Sequence, residues 1–390
     1  MTIGKFSIMI KSNFYFFITL ILSLNFIYSQ RPNTKKVAIP YLQFPSNPLN
    51  KNIETYISKV VNYSTVFQIP NTGLNLKGYE MVTSIGEADL EIKFVINNAS
   101  FTSKPIKAKY KKKVNDSTYV EAVGGRFVVE ATVNFSEYIR DLKNNKLLIS
   151  NEGINISNQF TSDLTKDYGL AVKQHNNNRE SIAMRIFYEN AIEGLRRFKS
   201  VLNSKFGYPL NFYYIAFARG RGKKFDYSDL ERSFENIEGI TEIIKSAFAG
   251  PNPPRYGNYN EGMKNELFSR LEDTIKILNN SIKEYVPKKK KTKISDKIID
   301  HLYINLATAY FLNGELNKAS ETLKGVKINK GEIKAASQFN TKIEDVSKRL
   351  KLQWEKYSLA DWFSFDGPDD GFLFNFYKAT NGIGKIILGE

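Results

Sequence analysis

Through much of the first half of the chain, apolar and polar positions alternate. In ADLEIKFVINNASF, Leu90, Ile92, Phe94 and Ile96 fall on one face with Glu91 and Lys93 opposite, the period of a strand buried on one side. FVVEATVNFSEYI repeats the pattern with Phe127, Val129, Ala131, Val133 and Phe135. Turn formers from Asp141 to Lys146 then lead into the apolar run Leu147 to Ile149, which predicts a hairpin. Val37 to Phe44 and Leu210 to Ala218 are two further strand candidates, and Pro40 places the first at a sheet edge.

One helix interrupts these strands. In RESIAMRIFYENAIEGLRRFKSVL, Ile182, Ile186, Leu195, Phe198 and Leu202 recur at helical spacing, as for a helix lying on one sheet face. After ARGRGKKFDY the period changes to 3.6 and stays there. Ser228-Asp229-Leu230-Glu231 has the form of a capping box, and Leu230, Phe234, Ile237, Ile244 and Phe248 make one stripe. Pro251, Pro253 and Pro254 break the chain before a helix carrying Met263, Leu267, Leu271, Leu278, Ile282 and Tyr285. A final helix has Ile333, Ala336, Ile343, Val346, Leu350 and Tyr357 in register.

The fold class that follows is α+β: an N-terminal sheet-containing domain, residues 30–222, then an all-α helical domain, 223–358, and an aromatic C-terminal segment, 359–390. Residues 1–29 are set aside. Lys5 and Lys11, the apolar run Phe14 to Ile27 and the small residue Ser29 have the order of an export signal with its cleavage site. Nothing later in the sequence is long and apolar enough to span a bilayer, so an exported chain that is not an integral membrane protein is expected, in the periplasm, at the cell surface or secreted. With no cysteine at all, the chain has neither disulfides nor a cysteine-linked lipid. A cysteine-free exported chain with 42% hydrophobic residues fits the bacterial cell envelope and a protein that relies on its core.

The formal charge of +16 becomes +14 without Lys5 and Lys11. It invites an anionic partner, yet the excess is mostly lysine spread along the chain and no nucleic-acid module accompanies it. Nucleic acid is therefore not expected as a partner, and contact with an anionic surface stays open. The runs Lys111 to Lys113 and Lys288 to Lys291 read first as solvated connectors.

Between the last two long helices, NLATAYFLNGELNKASETLKGV predicts two short helices around an Asn-Gly turn. Ile299, Leu302, Leu306 and Tyr310 form the apolar face of the first; Leu316, Ala319, Leu323 and Val326 form that of the second. Ala307 and Ala319 are small enough for close helix contact, and Gly314 serves the turn. Here the stretch resembles a tetratricopeptide repeat, with Leu306, Ala307, Tyr310, Gly314, Ala319 and Leu323 at the family's recurring positions, Tyr303 where Trp is frequent, and no closing Pro. Only residues 298 to about 331 carry the resemblance. A step of 34 residues from Tyr310 reaches Glu344 or Lys276, so the flanking helices are either degenerate repeats or ordinary neighbours of a lone hairpin. The resemblance implies a helical surface that holds a protein or peptide, with Lys318 and Asn305 on its outer groove.

Chemistry is sparse. His175 and His301 lack partners at metal-ligand or triad spacing, and Gly220 to Gly222 is not a dinucleotide fingerprint. No catalytic, cofactor-binding or metal-binding residue is assigned and no cofactor is expected. Asp361, Asp366, Asp369 and Asp370 lie among aromatics, which reads as a turn before a buried strand rather than a calcium or sugar site. The expectation is a non-enzymatic binding or scaffold protein that holds another envelope protein or peptide. Its rival is an enzyme or binding module acting on an acidic or neutral cell-surface polysaccharide.

Overall fold

The computed structural model describes residues 33–357, apart from 51, 70–72, 116, 220–224, 251, 252, 254, 256, 290 and 291. The proposed export signal, the C-terminal aspartate and aromatic segment, Gly220 to Gly222 and part of the second lysine run lie outside the described residues. The architecture is mixed, with strands followed by helices.

A five-stranded sheet is built on two long strands, β4 (Leu90–Lys113) and β5 (Tyr119–Asp141), paired antiparallel from Leu90↔Asp141 to Lys113↔Tyr119. β6 (Lys146–Thr161) joins the outer side of β5 through the predicted Asp141 to Lys146 turn. On the other side, β2 (Thr55–Asn62) pairs parallel with β4 and with the two-residue β3 (Glu80–Met81), giving the order β3-β2-β4-β5-β6. β2 gave no clear sequence signal, because Tyr56 and Ile57 are both buried and its remaining residues do not alternate.

The alternation of β4 slips once, between Ile96 and Asn98. Asn97 sits in this bulge and donates to Asn134 Oδ1 at 2.7 Å and Ser136 Oγ at 2.9 Å. After it, the half-buried Ala99 and the 38% exposed Phe101, which meets Phe187 edge-on, take over the helix-side face from Ile92, Phe94 and Ile96, opposite Val133 and Ala131.

Helix α1 (Tyr168–Lys205) covers that face. It starts eleven residues before the quoted helical stretch at Arg179, with Asp167 capping Gly169 N at 2.8 Å. Phe198 stacks on Phe94, centroids 5.8 Å apart, and Phe94 meets Phe135 at 5.2 Å. Gly194 permits this approach, since a Cβ there would lie 3.0–3.2 Å from the Phe135 ring. Asn190, fully buried, donates to Ala131 O at 2.9 Å and Ile156 O at 3.1 Å, pinning the helix to β5 and β6.

The strands β1 (Thr34–Leu42) and β7 (Leu210–Ala218) form a separate antiparallel ribbon, with Pro40 opposite Phe212. Both are edge strands, as Pro40 required. One face of the ribbon carries Val37, Ile39, Tyr41, Tyr213, Ile215 and Phe217 and lies against helices.

Those helices are α2 (Ser228–Ala247), α3 (Glu261–Lys283), α4 (Ile299–Leu312), α5 (Leu316–Leu323) and α6 (Lys330–Tyr357). The expected stripe on α2 is buried at Leu230, Phe234, Ile237 and Ile244. Its capping box does not form. Ser228 is the first helical residue, Tyr227 holds the N-cap position without a side-chain bond, and Asp226 accepts from Ser228 N at 2.9 Å, one residue early for the box. α6 buries Ala336, Ile343, Val346 and Leu350, but Ile333 in its first turn is 42% exposed. Arg349 Nη1 donates to Ser204 O at 2.9 Å, and Gln353 Nε2 to Tyr208 OH at 2.7 Å, so α6 is tied to the end of α1.

Candidate functional site: the helical hairpin and its surroundings

The hairpin forms where the sequence placed it. α4 ends at Asn313, Gly314 takes φ +78°, and Glu315 N donates to Tyr310 O at 2.9 Å. The left-handed turn is what requires glycine. Ala307 and Ala319 are fully buried, Leu306 and Leu323 are buried, and Tyr310 is half-buried. The six residues thus share one structural unit, and all but Gly314 pack apolar side chains in or against the core, Tyr310 as a half-buried ring.

The loop after α5 is closed by a residue that sequence reasoning passed over. Asp300, on the first turn of α4, is fully buried. Its carboxylate accepts from Lys327 N at 3.0 Å, Ile328 N at 2.9 Å, Asn329 N at 2.6 Å and Asn329 Nδ2 at 3.0 Å. A carboxylate bonded this way fixes the approach to α6 and satisfies backbone donors that would otherwise be orphaned. Gly325 lies flat against the Tyr303 ring, where a Cβ would come within 2.5–2.7 Å of it. Beside Asp300, His301 is also buried. Its Nδ1 is 3.3 Å from Glu332 Oε2 but without hydrogen-bond geometry, and burial holds its pKa below the usual histidine value, against the pull of Glu332 and Asp300.

Asn305 corrects the expected outer groove. It is fully buried, accepting from Ala218 N at 2.8 Å and donating to Ala216 O at 3.1 Å. The side chain therefore takes up part of the outward edge of β7. Tyr41 meets Phe311 at 6.0 Å and Tyr213 stacks on Phe339 at 5.1 Å, so the ribbon sits in the space between α4 and α6. A face of α4 that a free hairpin would offer to a partner is filled by the chain's own β1–β7 ribbon. Lys318, by contrast, is exposed as expected.

What stays open is a polar patch at the hairpin turn. Asn279 of α3 donates to Tyr310 OH at 3.2 Å, and Lys318 Nζ lies 5.7 Å from the centre of the Tyr310 ring. Glu315 hydrogen-bonds Lys318, which holds the lysine above its ordinary pKa, and accepts from Asn313 Nδ2 at 3.3 Å. A tyrosine, two asparagines and an ion pair at a helical surface can donate and accept hydrogen bonds to a peptide.

The two lysine runs differ. Lys288 lies in a turn with φ +61°, its N–H donating to Asp296, which suits a connector. Lys111 to Lys113 do not form a connector: they end β4, paired with Glu121, Val120 and Tyr119. Leading into them, Lys107, Lys109 and Lys111 alternate with Ala108 and Tyr110 in strand period, with lysine where a buried strand would carry an apolar residue.

A shallow groove between β6 and α1 is lined by Asn155, Ser157, Asn158, Glu189, Glu193, Arg196 and Arg197. Glu193 accepts from Arg197 Nε at 2.7 Å and from Arg196, and the two hydrogen bonds lower its pKa, Arg197 contributing first. That is the opposite of what a carboxyl acid catalyst needs. His175 is buried, bonded to Ser103 Oγ at 3.0 Å and edge-on to Phe127. Among the described residues no group of three or more His, Asp or Glu side chains is placed to hold a metal ion, and no helix is long and apolar enough to cross a membrane.

No family model matches the chain, and no curated protein matches it by sequence. A crystal structure described as a neuraminyllactose-binding hemagglutinin homolog from Helicobacter pylori aligns at 12% identity and a TM-score of 0.13, covering 41% of this chain and 97% of that one. At that score the likeness carries no argument about fold or function.

Proposed function

We propose that the chain is an exported, non-enzymatic binding or scaffold protein of the bacterial cell envelope, which holds a protein or peptide partner on its helical surface. The observation that carries this reading is the convergence of Tyr310, Asn279, Lys318 and Glu315 at the turn of a hairpin that is otherwise built into the core. A polar, aromatic-centred patch on a rigid base is how a binding surface is held in register. The tetratricopeptide-like reading is supported by the full burial of Ala307 and Ala319 in one core, on helices that pack together, and by α3 and α6 flanking the pair, as degenerate repeats would. The rival, an enzyme on a cell-surface polymer with the C-terminal aspartates as its acids, rests on residues outside those described, and the β6–α1 groove adds nothing to it, since its Glu193 is held by two arginines.

The test is affinity capture from an envelope extract with the chain lacking residues 1–29 and with Lys318→Glu and Tyr310→Phe variants. A protein retained in proportion to the wild type, and lost with either variant at unchanged melting temperature, supports the reading. Retention unaffected by both variants, or cleavage of a cell-surface polymer by the wild type, contradicts it.

A further inference from the structure

The outer half of the β4–β5 hairpin leaves the sheet. β6 pairs with β5 only as far as Val128↔Thr161, and a single bridge, Gly125↔Thr165, lies beyond. From there Lys109–Lys113 and Tyr119–Val123 run on as a two-stranded ribbon whose described residues are exposed except for Tyr110 and Ala122, which are half-buried. Five further residue pairs extend it about 17 Å, at a strand rise of about 3.4 Å. An isolated ribbon of this kind gains little stability in water.

Its surface chemistry is of two kinds. Between residues 104 and 128 the sequence has six lysines and Arg126 against Asp116 and Glu121. Lys107, Lys109, Lys111 and Lys113 share one face, where Lys109 pairs with Glu121 at 3.0 Å, both ends exposed, and Lys107 lies over Tyr168. Around the tip, Val114, Tyr119 and Val120 are 59%, 58% and 45% exposed, and Val123, four pairs back opposite Lys109, is 57% exposed. Large apolar residues clustered at one exposed end need a reason.

We propose that this ribbon docks on a bilayer rich in anionic phospholipid, with the apolar tip entering the headgroup boundary and the lysines lying against the phosphates. Charge complementarity selects a negative surface. The valines and the tyrosine select a lipid interface over an acidic polymer, since a polysaccharide would satisfy the lysines and leave the valines in water. The lysine stems can lie along apolar surface while their ammonium groups stay at headgroup level. This contact is separate from the partner-binding patch on the helices and stands without it.

The experiment is vesicle flotation of the full mature chain, with vesicles of phosphatidylcholine alone or mixed with phosphatidylglycerol. One variant removes charge (Lys109→Ser, Lys111→Ser, Lys112→Ser) and one removes the tip (Val114→Ser, Tyr119→Ser, Val120→Ser). Each variant is first shown to melt like the wild type. The wild type is expected to float with the mixed vesicles and to be released by salt. The charge variant should partition about a hundredfold less, at about fivefold per lysine, and the tip variant at least about tenfold less. Retention on heparin that the charge variant loses and the tip variant keeps, without flotation, would assign an acidic polymer and overturn the lipid contact. Absence of flotation with either vesicle would overturn it as well.

Discussion

The two helices of the hairpin carry the same small and large apolar spacing but live in different surroundings. In α4 every side chain is buried except Tyr303 and Tyr310, which are half-buried, because α3, the β1–β7 ribbon and the 327–329 loop close round it. In α5 only Leu316, Ala319 and Leu323 are buried, and Asn317, Lys318 and Glu321 face solvent. The difference teaches that helical period alone does not mark a binding face in this chain. α4 is a core strut because β1 and β7, distant in sequence, reach it, and α5 presents a surface because α4 and α6 pack on one side of it and leave Asn317, Lys318 and Glu321 outside.

The comparison can be broken most forcefully at the base of α4. Asp300→Ala removes the acceptor for three backbone N–H groups, each costing about 1–3 kcal/mol when left unsatisfied. A loss of about 3 kcal/mol or more in denaturant unfolding is expected. A loss below about 1 kcal/mol would show that the loop finds other partners.

Asn305→Ala should cost about 1–3 kcal/mol, because it strands Ala218 N–H and Ala216 C=O at a buried edge. On α5 the expected contrast lies between neighbours. Ala319→Leu overpacks the fully buried contact with α4 and should cost about 1–3 kcal/mol. Lys318→Leu, next to it and exposed, should stay within about 0.5 kcal/mol. Equal tolerance at 318 and 319 would contradict the register.

The smallest effect concerns pH. Since burial lowers the pKa of His301 in the folded chain, the unfolded chain takes up the proton first. Stability is then complete above the ordinary histidine value of about 6.5 and declines as pH falls through it. Urea midpoints measured on either side of that value should show the decline in the wild type and a weaker one in His301→Gln.

How much of this was legible follows from where each partner lies. The sheet face of β4 could be read because Leu90, Ile92, Phe94 and Ile96 alternate without interruption, and the hairpin turn because Gly314 stands between two apolar runs. The order of strands followed by helices came from the change of period. Asn305 was misplaced because its partners, Ala216 and Ala218, are 89 and 87 residues away, and a polar residue on a short helix reads as exposed until they are known. Asp300 escaped for the same reason: its donors come from a loop with no apolar pattern of its own. The outer half of the β4–β5 hairpin was hidden by composition, since lysine in place of an apolar residue keeps the strand period but removes the signal of a buried face.

The account turns on α4 being sealed within the fold while α5 is left to present, and amide hydrogen exchange on the folded chain measures this directly. Amides of 303–312 are predicted to exchange only with global unfolding, in the slowest class together with the β4–β5 pairs beneath α1, while those of α5 exchange through local opening at much lower cost. Exchange of α4 as fast as that of α5 would mean that the ribbon does not hold it, and would contradict the account.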